Sequence, residues 1–127
     1  MGEWLVKDRT AHIRIANCNG KLWGTISWAE KPGTDENNPD PTKRSRSVLG
    51  MPILLGMQAD IDSRAKWKGD IYNADNGKTY HGSITLASID TLHVEGCFWS
   101  ILCGGENWIR LTSDPSVSAC KMLPTQP

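Results

Sequence analysis

Four groups of residues in this chain could do chemistry. His81 and His93 fall on the same strand face as Ser83, Thr85 and Glu95, near Tyr72, so a Ser–His–Glu grouping that would activate a hydroxyl nucleophile can be drawn among them. Polar residues on the outer face of a sheet meet by chance in any β-protein. The chain also has no Gly-x-Ser-x-Gly, no His-Glu-x-x-His and no phosphate-cradling glycine loop. No catalytic residue is therefore assigned, and a protein that is not an enzyme is expected. Asp35, Asn37, Asn38 and Asp40 supply oxygen atoms that suit Ca²⁺, but they do not follow the EF-hand spacing. Asx side chains bonding nearby backbone in turns is the plainer reading, so neither a metal nor a cofactor is expected. Arg44 and Arg46 alternate, and from an extended segment both would point the same way and could clamp a carboxylate or phosphate. The plainer reading is ion pairing with Asp35, Asp40 or Glu30 that ties a loop down. The fourth group is aromatic: six Trp against one Phe. Trp supplies core bulk, but its indole N–H needs a partner, and Trp also lines ligand cavities.

The totals narrow what those groups can serve. A chain of 127 residues holds one domain with its own core. Fourteen basic and fourteen acidic side chains cancel, which leaves no electrostatic footprint for nucleic acid or an anionic membrane surface. No apolar run approaches the roughly 18 residues of a membrane-spanning helix, so an integral membrane protein is not expected. The four cysteines, Cys18, Cys97, Cys103 and Cys120, contain no Cys-x-x-Cys and do not cluster with the three histidines in sequence, which argues against zinc. An even count in a small chain fits two disulfides and an oxidising compartment; buried reduced thiols are the alternative. Met1-Gly2-Glu3-Trp4 is expected to enter structure almost at once, with no signal peptide ahead of it. If the protein is exported, this is the mature form with an added Met.

Two hairpins organise the chain. Thr10–Ala16 alternates, with Ala11, Ile13 and Ile15 on one face, and is followed by Asn19-Gly20, the strongest short hairpin signal. A two-residue turn there sets Ile15 against Gly24, Ile13 against Ile26 and Ala11 against Trp28. Asn76-Gly77 suggests a second such turn, with Trp67 opposite Leu86, Gly69 opposite Ile84, Ile71 opposite Gly82 and Asn73 opposite Tyr80. An odd loop near Ser88-Ile89-Asp90 then brings Leu86 opposite Leu92, Ile84 opposite Val94, Gly82 opposite Gly96 and Tyr80 opposite Phe98. Inward glycines let a sheet bend sharply, as closing a small barrel requires. Further strands are expected at 3–6 and 106–112, whereas 51–57 reads as a strand or one helical turn. The count is seven to nine short strands, a barrel or a sandwich.

Residues 30–48 form a long polar loop rich in Pro, Asn and Asp, and loops of this length are commonly functional or disordered. The barrel domain is expected over 1–113. A polar tail, 114–127, would be held only through Cys120.

Several segments together resemble a family of exported bacterial proteins catalogued as domain of unknown function 2147. They are Gly2-Glu3-Trp4-Leu5, Leu22-Trp23-Gly24-Thr25-Ile26, Asn37-Asn38-Pro39-Asp40-Pro41, Arg44-Ser45-Arg46 leading into Leu49-Gly50-Met51-Pro52-Ile53-Leu54, Ile71-Tyr72 through Gly77-Lys78-Thr79-Tyr80, Gly96-Cys97 and Trp108-Ile109-Arg110. The resemblance implies an all-β, antiparallel up-and-down barrel of lipocalin-like form with about eight strands, and export to the periplasm; it implies no activity. Family members often carry a second Cys near the position of Trp23, so a local partner for Cys18 is missing here. The favoured pairing is Cys97–Cys103 with Cys18–Cys120.

In a closed barrel the inward aromatic residues share one space. Trp28, Trp67, Ile71, Tyr80 and Phe98, with Arg44 and Arg46 from the loop, are the expected ligand-binding residues. The expected partner is a small, mostly apolar molecule under the 30–48 loop. The alternative is a filled barrel that serves as a protein-interaction module of the cell envelope.

Overall fold

The computed structural model describes residues 1–98 and 102–112. Trp99 and the tail with Cys120 lie outside the described residues, as do the side chains of Phe98, Leu102 and Cys103. Eight antiparallel strands close into one barrel in sequence order: β1 Gly2–Leu5, β2 Ala11–Cys18, β3 Lys21–Ala29, β4 Pro52–Ala59, β5 Lys66–Asn73, β6 Lys78–Ser88, β7 Thr91–Phe98 and β8 Leu102–Thr112, with β8 pairing back onto β1. The ambiguous apolar run at 51–57 is strand, because β4 must bridge β3 and β5 to complete the wall.

The first hairpin turns at Asn19-Gly20 as expected. Cys18 pairs with Lys21, and the two turn residues have φ of 55° and 85°, the left-handed pair that a tight hairpin turn demands. Ile15 meets Gly24 and Ile13 meets Ile26. Beyond them a β-bulge takes in Ser27, so Trp28 pairs with His12 instead of Ala11. One extra residue reverses the face. Trp28 therefore leaves the apolar side, stands 42% exposed, and packs against the His12 ring with centroids 4.7 Å apart.

The second hairpin differs in its turn. Asn73 pairs with Lys78, which makes a four-residue connection, Ala74–Gly77. Asn76 does not take the positive φ that a two-residue turn needs, and only Gly77 does, at 72°. Asx side chains build the wider turn: Asn73 Oδ1 accepts from the Asp75 N–H, Asn76 Oδ1 accepts from the Lys78 N–H, and the Gly77 N–H reaches the Asn73 carbonyl. Every partner shifts by two residues, so Trp67 faces Ile84, Gly69 faces Gly82 and Ile71 faces Tyr80. An even shift preserves the faces. In the next hairpin Leu86–Leu92, Ile84–Val94 and Gly82–Gly96 pair as expected; the odd residue is a bulge at Ala87, next to a two-residue Ile89-Asp90 turn.

The barrel has two unlike ends. At the end carrying the Asn19-Gly20 and Ile89-Asp90 turns it is filled. Trp4, Ile15, Leu22, Met57, Ile84 and Leu92 are buried there. The Arg110 guanidinium stacks 4.3 Å above the Trp4 ring and donates to the carbonyls of Ile89 and Met1. Gly24 is required in this packing, since a Cβ there would stand 2.8 Å from the Leu54 side chain. Trp67 packs against this core.

Candidate functional site

At the opposite end lies a cavity of about 810 Å³, open at the mouth. Its apolar wall includes Ile13, Ile26, Ile53, Ile71 and Val94, with rings from Tyr72, Tyr80 and Trp108. The register explains one part of the space, at Gly104. Gly69, Gly82, Gly96 and Gly104 pair in succession across β5, β6, β7 and β8, a row without side chains. Ile71 fills the gap above Gly82 and Tyr80 the gap above Gly96, where a Cβ would lie 3.2 Å from the tyrosine Cβ. Among the described residues nothing lies within 4 Å of a Cβ built on Gly104, and Gly96 and Gly104 both line the cavity.

The long loop between β3 and β4 forms part of the mouth through Glu30, Lys31 and Val48. It is an ordered structure with a Thr34–Ser47 bridge and a single 3-10 turn, Pro41–Lys43. Asp40 caps that turn: the Thr42 hydroxyl and N–H both donate to its carboxylate and hold its pKa below the usual value. The loop is fastened at Asp35, which is fully buried. Tyr72 Oη donates to Asp35 Oδ1 at 2.7 Å, while Asn38 Nδ2 and Arg46 Nε donate to Oδ2 at 2.8 and 3.1 Å. A buried carboxylate is tolerable when it is paired and hydrogen-bonded in this way. Arg46 also lies 5.9 Å from the centre of the Tyr72 ring. Burial, then the hydrogen bond and charge of Asp35, push the Tyr72 phenol up from 10 to about 12. A second clasp is Asn37, whose Nδ2 donates to the carbonyls of Ala74 and Asp75 in the β5–β6 turn.

These contacts settle where the expected site residues stand. Ile71 and Tyr80 line the cavity. Trp67 belongs to the core and Trp28 to the outer surface, and neither borders the cavity. Phe98 has its side chain outside the described residues. Arg44 and Arg46 do not lie on an extended strand. Arg44 ends the 3-10 turn and donates to the Asn38 carbonyl, and Arg46 is held by Asp35. Both therefore fasten the loop and do not project into the cavity. The oxygen-rich segment is likewise committed to protein partners, and no metal-binding cluster occurs among the described residues. His81 pairs with Asp70 at 2.9 Å and His93 with Asn107 at 2.9 Å, away from the cavity lining. Tyr72 is buried beneath the loop and is not part of an exposed polar face.

Sequence reasoning missed Glu106 and Trp108 as cavity residues. Their signal was present: both alternate with Gly104 on β8, and Glu106 pairs with the inward Val94. Cys97 pairs with Cys103 in the same ladder, and no free cysteine occurs among the described residues.

Comparison with known proteins agrees with this architecture. The sequence profile of a family of uncharacterized proteins conserved in bacteria, DUF2147, matches residues 2–110. Among solved structures, a Helicobacter pylori protein described as belonging to the lipocalin family superimposes with a TM-score of 0.78 at 23% identity, over 88% of this chain and 82% of that one. No curated protein matches.

Proposed function

We propose, starting from the fact that this chain belongs to the bacterial family DUF2147, that it binds a small, mostly apolar molecule in the mouth of its barrel and does no chemistry on it. The observation that carries this reading is the cavity of about 810 Å³ above the Gly96–Gly104 gap, a size within the range of small-molecule sites. The lipocalin-like fold of the Helicobacter pylori neighbour supports it. A filled barrel acting only as an interaction module fits less well, because the packing stops short of this end.

The reading extends to a periplasmic protein with Cys97–Cys103 and Cys18–Cys120 disulfides. The direct opposition of Cys97 and Cys103 supports the first pairing. A bridge from Cys18 to the tail would close a very long loop, worth roughly 4–5 kcal/mol in the chain-entropy model.

Gly104→Leu tests the binding reading. Among the described residues a Cβ at Gly104 meets no atom within 4 Å, and Gly104 lines the cavity, so a leucine there should take up part of the space. Decanol titrated into wild-type protein should give saturable heat by calorimetry, and the variant should bind at least about tenfold more weakly with its thermal midpoint kept within a few degrees. Undiminished binding by the variant would place the ligand elsewhere.

A further inference from the structure

The cavity contains one feature that an apolar ligand alone leaves unused. Glu106 stands on the cavity face of β8, two residues from Trp108 and opposite Val94, and it is half-buried. The Trp108 indole N–H donates to Glu106 Oε2 at 2.8 Å, and the Lys7 backbone N–H donates to the same oxygen at 3.2 Å. Both bonds hold the carboxylate in place without neutralising it. Among the described residues no Lys, Arg or His lies within ion-pair distance of it.

Other shielded carboxylates in this barrel are treated differently. Asp35 has Arg46, and Glu3 has Arg14 at 2.9 Å and His12 at 3.6 Å. A shielded anion without a counter-ion is unfavourable, so its presence in a cavity favours an incoming cation. The surrounding lining points the same way. Asp8, Glu30 and Asp75 join Glu106 against a single Lys31, in a chain whose formal net charge is zero. The bias is local to the mouth and does not reflect the whole molecule. The aromatic rings of Trp108, Tyr72 and Tyr80 line the same space, and ring faces attract cations.

Building on the binding reading above, we propose that the ligand is a cationic amphiphile, an alkyl or aryl amine whose protonated nitrogen pairs with Glu106 while its apolar body lies against the isoleucine and valine wall. The ammonium donates to the carboxylate, and no covalent step is involved.

The test compares decylamine, decanol and decanoate, which share a chain and differ in head-group charge. Each is titrated calorimetrically at pH 7, below its micellar range. In wild-type protein the amine should bind about tenfold or more tighter than the alcohol, the scale of one charge-assisted hydrogen bond, and the acid should bind weakest. Glu106→Gln keeps an acceptor for Trp108 and the Lys7 N–H but removes the charge, so it should bring the three probes to within a few-fold of one another. Decanoate binding as tightly as decylamine in wild-type protein would overturn the inference, as would an amine preference that survives Glu106→Gln. The wild-type comparison decides the charge question even if the variant misfolds. The two readings fail distinguishably. Binding of decanol with no preference for the amine refutes the cation alone, whereas no binding by any of the three probes refutes the cavity reading and the inference with it.

Discussion

The phenol of Tyr72 donates a 2.7 Å hydrogen bond to the carboxylate of Asp35, thirty-seven residues earlier in the chain. This bond fastens the β3–β4 loop to the barrel wall. It is buried at both ends and shares its acceptor with Arg46 and Asn38. The shape of the cavity mouth therefore depends on a polar network and not on apolar packing alone.

Breaking that network should be costly. Asp35→Ala leaves the Tyr72 hydroxyl, the Asn38 amide and the Arg46 guanidinium without their shared acceptor, and should lower stability by about 3–5 kcal/mol. Tyr72→Phe removes one bond to a charged group and should cost about 1.5–3 kcal/mol. Urea unfolding of both variants checks the order; equal, negligible losses would show that the loop is not fastened there.

The same network makes stability fall in alkali. Because the folded Tyr72 phenol titrates near 12 instead of 10, the native state holds a proton that the unfolded chain has already released. Its contribution is complete below pH 10 and is lost as pH rises towards 12, by an amount on the order of 2 kcal/mol. Tyrosinate absorbance of the folded protein should show a late step near pH 12 that Tyr72→Phe removes.

Gly77 is the point where the second clasp depends on a missing side chain. Its φ is 72°, and a Cβ there would overlap the Asn37 carbonyl. Gly77→Ala should therefore lose at least about 2 kcal/mol, combining left-handed strain with displacement of the loop. Limited proteolysis should find the loop cut sooner in this variant. A proteolysis rate and stability like those of wild type would refute the close approach.

Trp28→Ala should be mild. The side chain is 42% exposed on the outer face, against His12. A loss below about 1 kcal/mol in urea unfolding is expected, together with unchanged ligand affinity. A marked loss of affinity would return Trp28 to the binding wall.

The proposed pairing of Cys97–Cys103 and Cys18–Cys120 predicts no free thiol in air-oxidised protein under denaturing conditions. Thiol counting after unfolding measures this directly, and four free thiols would exclude both bridges.

Much of this architecture follows from local pattern. The alternation of Ala11, Ile13 and Ile15, the Asn19-Gly20 turn and the Leu86–Leu92, Ile84–Val94 and Gly82–Gly96 pairs are set by neighbouring residues and the period of two, so the sequence alone carries them. The closed barrel was foreshadowed by inward glycines. What local pattern does not carry is the position of single-residue bulges and the company of a loop. The bulge at Ser27 reversed Trp28, because face assignment beyond a bulge inverts while the sequence alternation reads on undisturbed. The wider turn at Ala74–Gly77 came from Asx side chains and from Asn37 docking on it, a contact between segments far apart in the chain. Arg46 could be read as a loop tether, but its partner was decided only when Tyr72 and Asp35 met in the folded barrel. Glu106 became a cavity residue for the same reason: its own strand shows only alternation, and the space beside it opens at Gly104, where closure of the barrel brings no side chain across. Most strands and most of their faces are legible in the residue pattern, since those depend on nearest neighbours. The cavity, its fastened loop and its carboxylate emerge only on folding, since they depend on which distant residues closure of the barrel brings together.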